Sequence, residues 1–446
     1  MTGPPPGPAG VGNRGSLREY SADTLGFLRR SSREYGDVVA YRLGHQRACL
    51  VTHPAAIERV LVTDAKIFPK SLDSDPAGVL QTLVGVGLLT ADGPAWASRR
   101  RLARPYFAPD RMADYAALVD ARARTFLEGW GEGEVRDIHR EMTSLAVAII
   151  GDVFLGAELE GLLDEVGRCV ETAMEEHVAR LRRPPWLPGR FPTPGKMRFR
   201  LAMKRFDRIV RGLIRARRAA GSSRDDLLGR WVGVAGGSDA DAAENEVRDE
   251  VATIFLAGHD TTALTLTWAA HLLSTAPAVE ERLAGELDAA LGGRTPALSD
   301  LRGLRYLDAV LHETLRLYPS AWGFSRLATS DCEIGGYRIP AGTSVLVSPW
   351  VTQRDPRFFE DPESFRPERW MDGLSARIPR FAYFPFGGGP RLCIGAQFGM
   401  MEAALLLAVL VQRFRLHAIP GKAVEPWASI TLRPRGGLEM VVRRRG

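Results

Sequence analysis

The residue best placed to do chemistry is Cys393, in "FPFGGGPRLCIGAQFGM", Phe384 to Met400. Gly387, Gly388 and Gly389 precede it, and without Cβ atoms they permit backbone angles and close approaches that other residues forbid. Gly395 follows at the start of an apolar helix. The sulfur would then sit by a helix N-terminus, where free N–H groups and the helix dipole favour a thiolate. Arg391 adds a positive charge two residues away. A lone thiolate in such a setting is a nucleophile, a redox thiol or a metal ligand. Nucleophilic catalysis wants a histidine nearby, and His417 has no evident pairing. A thiolate can also be the axial ligand of a haem iron, donating electron density that favours O–O cleavage.

"FGGGPRLCIG" resembles the F-x-x-G-x-R-x-C-x-G signature of the cytochrome P-450 superfamily, with matches at Phe386, Gly389, Arg391, Cys393 and Gly395. The resemblance covers essentially the whole chain after about residue 20. It implies heme b with Cys393 as the metal ligand, and Phe386, Gly387 and Gly395 beside the cofactor. "AGHDTT", Ala257 to Thr262, is similar to the family's oxygen-activation motif. Asp, Gly and two Thr weaken a helix interior, so they need a reason there. The resemblance makes Asp260 and Thr261 an acid–alcohol pair that relays protons to dioxygen. Ala257 and Gly258 would lie against the cofactor, with Gly258 leaving room for oxygen and water. His259 falls at a variable position and is not expected as a ligand. "HETLRLYP" places Glu313 and Arg316 on one helix face. The family closes a buried network with a later arginine, here Arg369 in "RPERW", and stripping one charge from it should cost about 3–5 kcal/mol. "WASRR" supplies Trp96 and Arg100. With Arg326 and Arg391, Arg100 matches positions that hold the haem propionates, which need cationic or hydrogen-bonding partners when buried. "TQRDP" departs from the pattern: relatives often have His where this chain has Gln353.

The elements that must position these residues are mostly helical. The spacing predicts helix over much of Pro54 to Glu175, including Met112 to Trp130, and one long helix from about Ala242 to Ser274 that Pro277 ends. A hairpin is expected over residues 37–51 and strands near Tyr337 to Ile339, Ser344 to Ser348 and Ile430 to Arg433. Proline density from Arg180 to Gly195 predicts an exposed loop, of the sort that serves as a lid. A Gly/Ser/Asp break is expected at Gly236 to Asp241. The fold class is mainly α with a smaller β part, a cytochrome P-450 fold with haem between the long helix and the cysteine loop and helix. Residues 1–20 read as a flexible Pro/Gly-rich leader and 21–446 as a single domain whose end strands pair.

The chain has 446 residues, 59 basic against 53 acidic, and a net charge of +6. No basic tail, zinc spacing or Gly-aromatic motif points to nucleic acid. Cys49, Cys169, Cys332 and Cys393 form no C-x-x-C pair, which argues against a disulfide framework and for a reducing, cytoplasmic setting. Val251 to Ser274 and Phe398 to Phe414 carry too many polar groups for membrane spans and read as core helices. The expected activity is monooxygenation of a small lipophilic substrate, hydroxylation or epoxidation, by a monomer. A separate ferredoxin or flavodoxin with its reductase is expected to supply electrons, since only 53 residues follow Cys393. Arg99, Arg101 and Arg104 could meet an acidic donor. A peroxide-driven peroxygenase and a non-catalytic haem sensor are the alternatives. By analogy Leu88, Ala257, Thr261, Trp322, Phe324 and Trp427 line the pocket, with the Asp73 to Leu88 loop and a lid near Trp186. "AWGFSR", "SPWVTQRD" and "ITLRPRGGL" resemble bacterial members that hydroxylate terpenoid or carotenoid rings.

Overall fold

The computed structural model describes residues 3–70, 78–156, 160–182, 193–221, 224–234 and 240–445. The expected lid near Trp186 and the Asp73 end of the expected pocket loop lie outside these residues, as does most of the break beginning at Gly236.

The long apolar run folds as one helix, Ala240–Thr275, of 36 residues. At 1.5 Å per residue it spans roughly 54 Å. Its middle is buried on nearly every side, polar residues included, so it runs through the core. Val251, Phe255, Ala263, Leu264, Leu266 and Trp268 have no exposed surface. Pro277 opens the next helix, Pro277–Leu291. The cysteine loop leads into a second core helix, Ala396–Arg413. By length and composition it could cross a membrane, but 61% of it is buried inside the fold.

Strands tie the two ends of the chain together. Val38–Leu43 and Gln46–Val51 form the expected hairpin, Val38 opposite Val51. Gln46–Val51 then pairs in parallel with Ser344–Val347, Ala48 opposite Ser344. Phe324–Leu327 closes this four-stranded sheet as an antiparallel edge, with Arg326 opposite Val345. Glu439–Arg444 lies between Val135–Asp137 and Phe414–Ala418 in a second sheet. Pro426–Ala428 and Leu432–Pro434 make a short hairpin. The apolar inner faces of the main sheet pack with Ile57, Leu61, Phe68, Phe381 and Phe384, beneath the cysteine loop.

One expectation is corrected here. The N-terminal segment lies along the sheet: Ala40 donates its N–H to the Pro6 carbonyl at 2.8 Å, and Ser16 donates to Arg42 at 2.7 Å. A strand edge with unpaired backbone groups captures an extended Pro/Gly segment, which keeps it from behaving as a free leader. Gly258 also has a packing duty that the motif did not announce. A Cβ there would sit 2.5 Å from Ile150 Cδ1, on the neighbouring helix Ile138–Ile150. The missing side chain therefore lets two core helices close on each other.

Gly258→Ala should destabilise the fold by about 1–3 kcal/mol through overpacking. Trimming the neighbour in Gly258→Ala/Ile150→Ala should recover part of that loss in thermal melts. No recovery would mean that the contact with Ile150 is not what excludes a side chain at Gly258.

Candidate active site

The cysteine loop is shaped from both sides. Gly387 and Gly389 have φ of +72° and +66°, backbone that favours glycine. A Cβ on Gly389 would lie 1.9 Å from the Leu61 carbonyl oxygen, and one on Gly388 2.4 Å from the Phe381 ring. The loop thus rests directly on the apolar layer below it. Cys393 donates its N–H to the Phe386 carbonyl at 3.1 Å. Gly395 caps the helix behind it. Cys393 keeps open surface yet lies deep enough that burial pushes its thiol up; the Gly395 N–H and the Arg100 charge pull the other way.

The expected charge network is complete. Glu313 receives Arg316 through both oxygens at 2.8 Å and Arg369 Nε at 3.0 Å. The Arg366 N–H and the Trp370 indole N–H also donate to it, at 3.0 and 2.8 Å. Glu313 and Arg316 are wholly buried. Gln353, the departure from the family pattern, turns out to connect this network to the loop. Its amide donates to the Leu315 and Arg316 carbonyls, and its Oε1 accepts the Phe384 N–H at 3.0 Å.

On the central helix, Ala257, Gly258 and Thr261 keep surface where their neighbours are buried. They sit at i, i+1 and i+4, which makes one strip on one face. The Thr261 hydroxyl donates to the Ala257 carbonyl at 2.9 Å. Asp260 points elsewhere. It has no exposed surface and forms an ion pair with Arg433. Burial opposes its ionisation, but Arg433, His259, Thr431 and His139 outweigh this and hold its carboxyl below the usual range. Thr262 donates to Glu402 Oε2 at 2.9 Å, which joins the strip to the cysteine helix. Glu402 is fully buried, and burial pushes its carboxyl up to about 8 against the Thr262 bond.

Four cations gather around one carboxylate beside the loop. Arg391 bonds the Ala91 carbonyl and pairs with Asp92, with Trp96 flat against it 4.7 Å away. Arg100 donates to the Leu392 carbonyl at 2.9 Å and also covers Trp96. Arg326 is buried and donates to the neighbouring Ser325 carbonyl. Lys70, which sequence reasoning missed, completes the group. Burial, with Arg326 and Arg391 nearby, pushes Lys70 down to about 7; burial and Arg391 push Arg326 to about 10. Such crowding of partly buried positive charge around a buried Arg326 calls for an anion. The two propionates of haem would supply it, so the donor set, the open thiol and the bare helix strip fit that cofactor.

Other expected residues serve packing. Leu88 is buried in the main core, and its N–H donates to Glu250. Trp322 packs in the N-terminal cluster with its indole N–H on the Ser429 carbonyl at 2.9 Å. The Phe324 ring lies over Gly387 and near Phe384, supporting the loop from its far side. Trp427 lines a separate polar cavity behind the central helix. Arg99 turns inward to Glu250 at 2.8 Å, while Arg101 and Arg104 stay exposed.

Comparison with known proteins agrees with this geometry. The family model described as Cytochrome P450 matches residues 4–437. The chain is 33% identical to cyclooctatin synthase of Streptomyces melanosporofaciens, over 97% of this chain and 94% of that protein. It is 34% identical to cyclooctat-9-en-7-ol 5-monooxygenase of the same organism, over 87% and 84%. It is 32% identical to pentalenene oxygenase of Streptomyces avermitilis, over 89% and 88%.

Removing one charged partner of a buried anion typically costs about 1.5–3 kcal/mol, so Lys70→Met and Arg326→Met should each weaken haem retention about tenfold or more. Transfer of haem to a scavenging apoprotein measures this, and an unchanged rate would take the residue out of the set. Glu402 gives a pH signature. Its folded value lies above the ordinary 4.5, so its stabilising effect is full below that pH and fades as pH rises toward about 8. Wild type should therefore lose melting temperature relative to Glu402→Gln across that window.

Proposed function

The chain belongs to the cytochrome P450 family, and from that membership we propose that it oxygenates a polycyclic terpenoid, with heme b bound through Cys393. It is a monooxygenase, an oxidoreductase whose haem iron is held by a cysteine thiolate. Bound haem supplies the activation of dioxygen that lets one oxygen atom enter a substrate C–H or C=C bond.

The chain's residues have divided duties. Cys393 would ligate the iron from the loop that Gln353 ties to the Glu313 network. Lys70, Arg100, Arg326 and Arg391 would hold the propionates. Absence of a C-x-x-C pair supports a non-covalent heme b. Ala257 and Gly258 leave the central helix bare along the cofactor, and Thr261 holds a proton at Oγ1 beside that space. Asp260, one residue earlier, is its acid partner.

The observation that carries this proposal is the strip Ala257, Gly258 and Thr261 joined to the cysteine helix through Thr262 and Glu402. The substrate class rests on relatives whose names specify cyclooctatin, cyclooctat-9-en-7-ol and pentalenene. Exposed Arg101 and Arg104 support an acidic, separate ferredoxin or flavodoxin as electron donor. Four free thiols suit the cytoplasm.

Reduction under carbon monoxide should give the haem-thiolate spectrum, lost in Cys393→Ala. Polycyclic terpenoids should shift the Soret band where linear fatty acids do not, and turnover should need donor proteins. Turnover with hydrogen peroxide alone at the same rate would favour the peroxygenase instead.

A further inference from the structure

The helix Pro194–Ala219 is held to the core by one face, with Phe199, Ala202, Met203, Phe206, Val210 and Ile214 buried. It carries ten basic residues and one acidic residue, Asp207. Its two halves treat that charge differently. Toward the C-terminus, Arg211, Arg215 and Arg218 converge on Glu244 of the central helix at 3.0–3.3 Å. Toward the N-terminus, Asp207 is taken by Arg248 at 2.5 Å. Arg198, Arg200, Lys204, Arg205 and Arg208 make no ion pair among the described residues and stand in solvent. Met197 and Leu201 stand out beside them, 56% and 58% exposed. At 100° per residue, Met197, Leu201, Lys204 and Arg208 fall within about 60° of one another, and Arg200 and Arg205 lie about 40° beyond on either side. One exposed apolar residue needs no reason. Two of them one turn apart, flanked by five cations without a counter-charge over about 17 Å of helix, make the pattern of an interfacial helix face.

We propose that this face docks the protein on an anionic phospholipid surface. Met197 and Leu201 enter the boundary between headgroups and acyl chains, and Lys204, Arg205 and Arg208 meet lipid phosphates with their stems lying along the lipid. The apolar pair selects lipid over other anions. A nucleic-acid backbone offers phosphate to the cations but gives Met197 and Leu201 nothing to enter. An acidic protein must bring its carboxylates into register with the cations. Five cations over about three turns, with no acceptor among them, fix no register, whereas lipid headgroups move to where the charge is. The contact also serves the reaction. A lipophilic substrate partitions into the bilayer, so an enzyme resting there meets it at raised concentration. That benefit rests on the substrate class proposed above; the docking does not, and it is measured without turnover.

In flotation at low salt, the holoenzyme should rise with vesicles of mixed phosphatidylglycerol and phosphatidylcholine. It should bind vesicles of phosphatidylcholine alone about tenfold more weakly, and about 0.5 M salt should shrink the difference. Lys204→Glu/Arg208→Glu should weaken binding to the anionic vesicles about tenfold or more. Met197→Ser/Leu201→Ser should weaken it about tenfold with the charge unchanged. Arg101→Glu/Arg104→Glu, which changes the charge equally on the cysteine side, should bind as wild type. Circular dichroism melts report the folding of each variant. Equal binding to both vesicle types refutes the docking. Wild-type binding by the serine variant also refutes it, since only a cationic patch is then at work. So does an equal loss in the Arg101 and Arg104 variant, which leaves net charge as the cause. Capture of poly-glutamate or of poly-uridine RNA in place of anionic vesicles would assign the face to an acidic protein or a nucleic acid and overturn the lipid. If vesicles are bound while polycyclic terpenoids give no Soret shift, the docking stands and the substrate class falls.

Discussion

Everything at the thiolate side depends on one buried carboxylate. Glu313 has no exposed surface and accepts five hydrogen bonds, three of them from guanidinium groups. Alone in the core it would be protonated or expelled; with these partners it ties its own helix to the stretch from Arg366 to Trp370. The remaining donors of Arg316 and Arg369 satisfy carbonyls between Gln353 and Ser364. Gln353 then carries the alignment to Phe384, where the cysteine loop begins. An amide suits this task because it donates and accepts at once without a charge to neutralise. Loop position is thus set through hydrogen bonds of fixed direction, and the glycines only permit what the network demands.

The opposite demand operates a few residues away. Lys70, Arg100, Arg326 and Arg391 are held close with Asp92 as their listening partner in the field, and burial depresses two of them strongly. The backbone carbonyls of Ala91, Leu392 and Ser325 hold the guanidinium groups in place. Glu313 has a partner for every bond it can make, while the cations outnumber the one carboxylate among them. A dianionic cofactor would link the two, its charged edge held by the cluster and its metal by the cysteine of the loop that the network positions.

What was legible in the sequence was what is local. The cysteine loop, "AGHDTT", "HETLR" and "WASRR" are strings whose residues act near where they stand, and the long helix announced itself by composition. Pairing of Gln46–Val51 with Ser344–Val347 was expected only as strands from two ends meeting. What stayed hidden depends on topology. Lys70 is a lone lysine with no pattern around it. Arg433 reaches Asp260 across 173 residues, from a strand that was expected but whose neighbours were not. Gly258 matched its motif, but its close approach to Ile150, over a hundred positions earlier, was not legible. The expected pocket aromatics Trp322 and Phe324 found packing partners because apolar side chains beside a sheet bury against whatever core is nearest.

Consecutive residues on a helix point about 100° apart, and the central helix uses that angle to separate two environments. Thr261 shares its face with Ala257, where bulky neighbours are withheld. Asp260 turns into a buried ion pair with Arg433, and His259 turns beside it. A carboxylate paired so firmly makes a poor free acid, since the pair favours the charged form. Arg433 holds one of its oxygens, and the other has no hydrogen-bond partner among the described residues. The motif's two adjacent polar residues are therefore not equivalent: Thr261 bonds back to the Ala257 carbonyl on the bare strip, and Asp260 is committed to a cation from the distant hairpin.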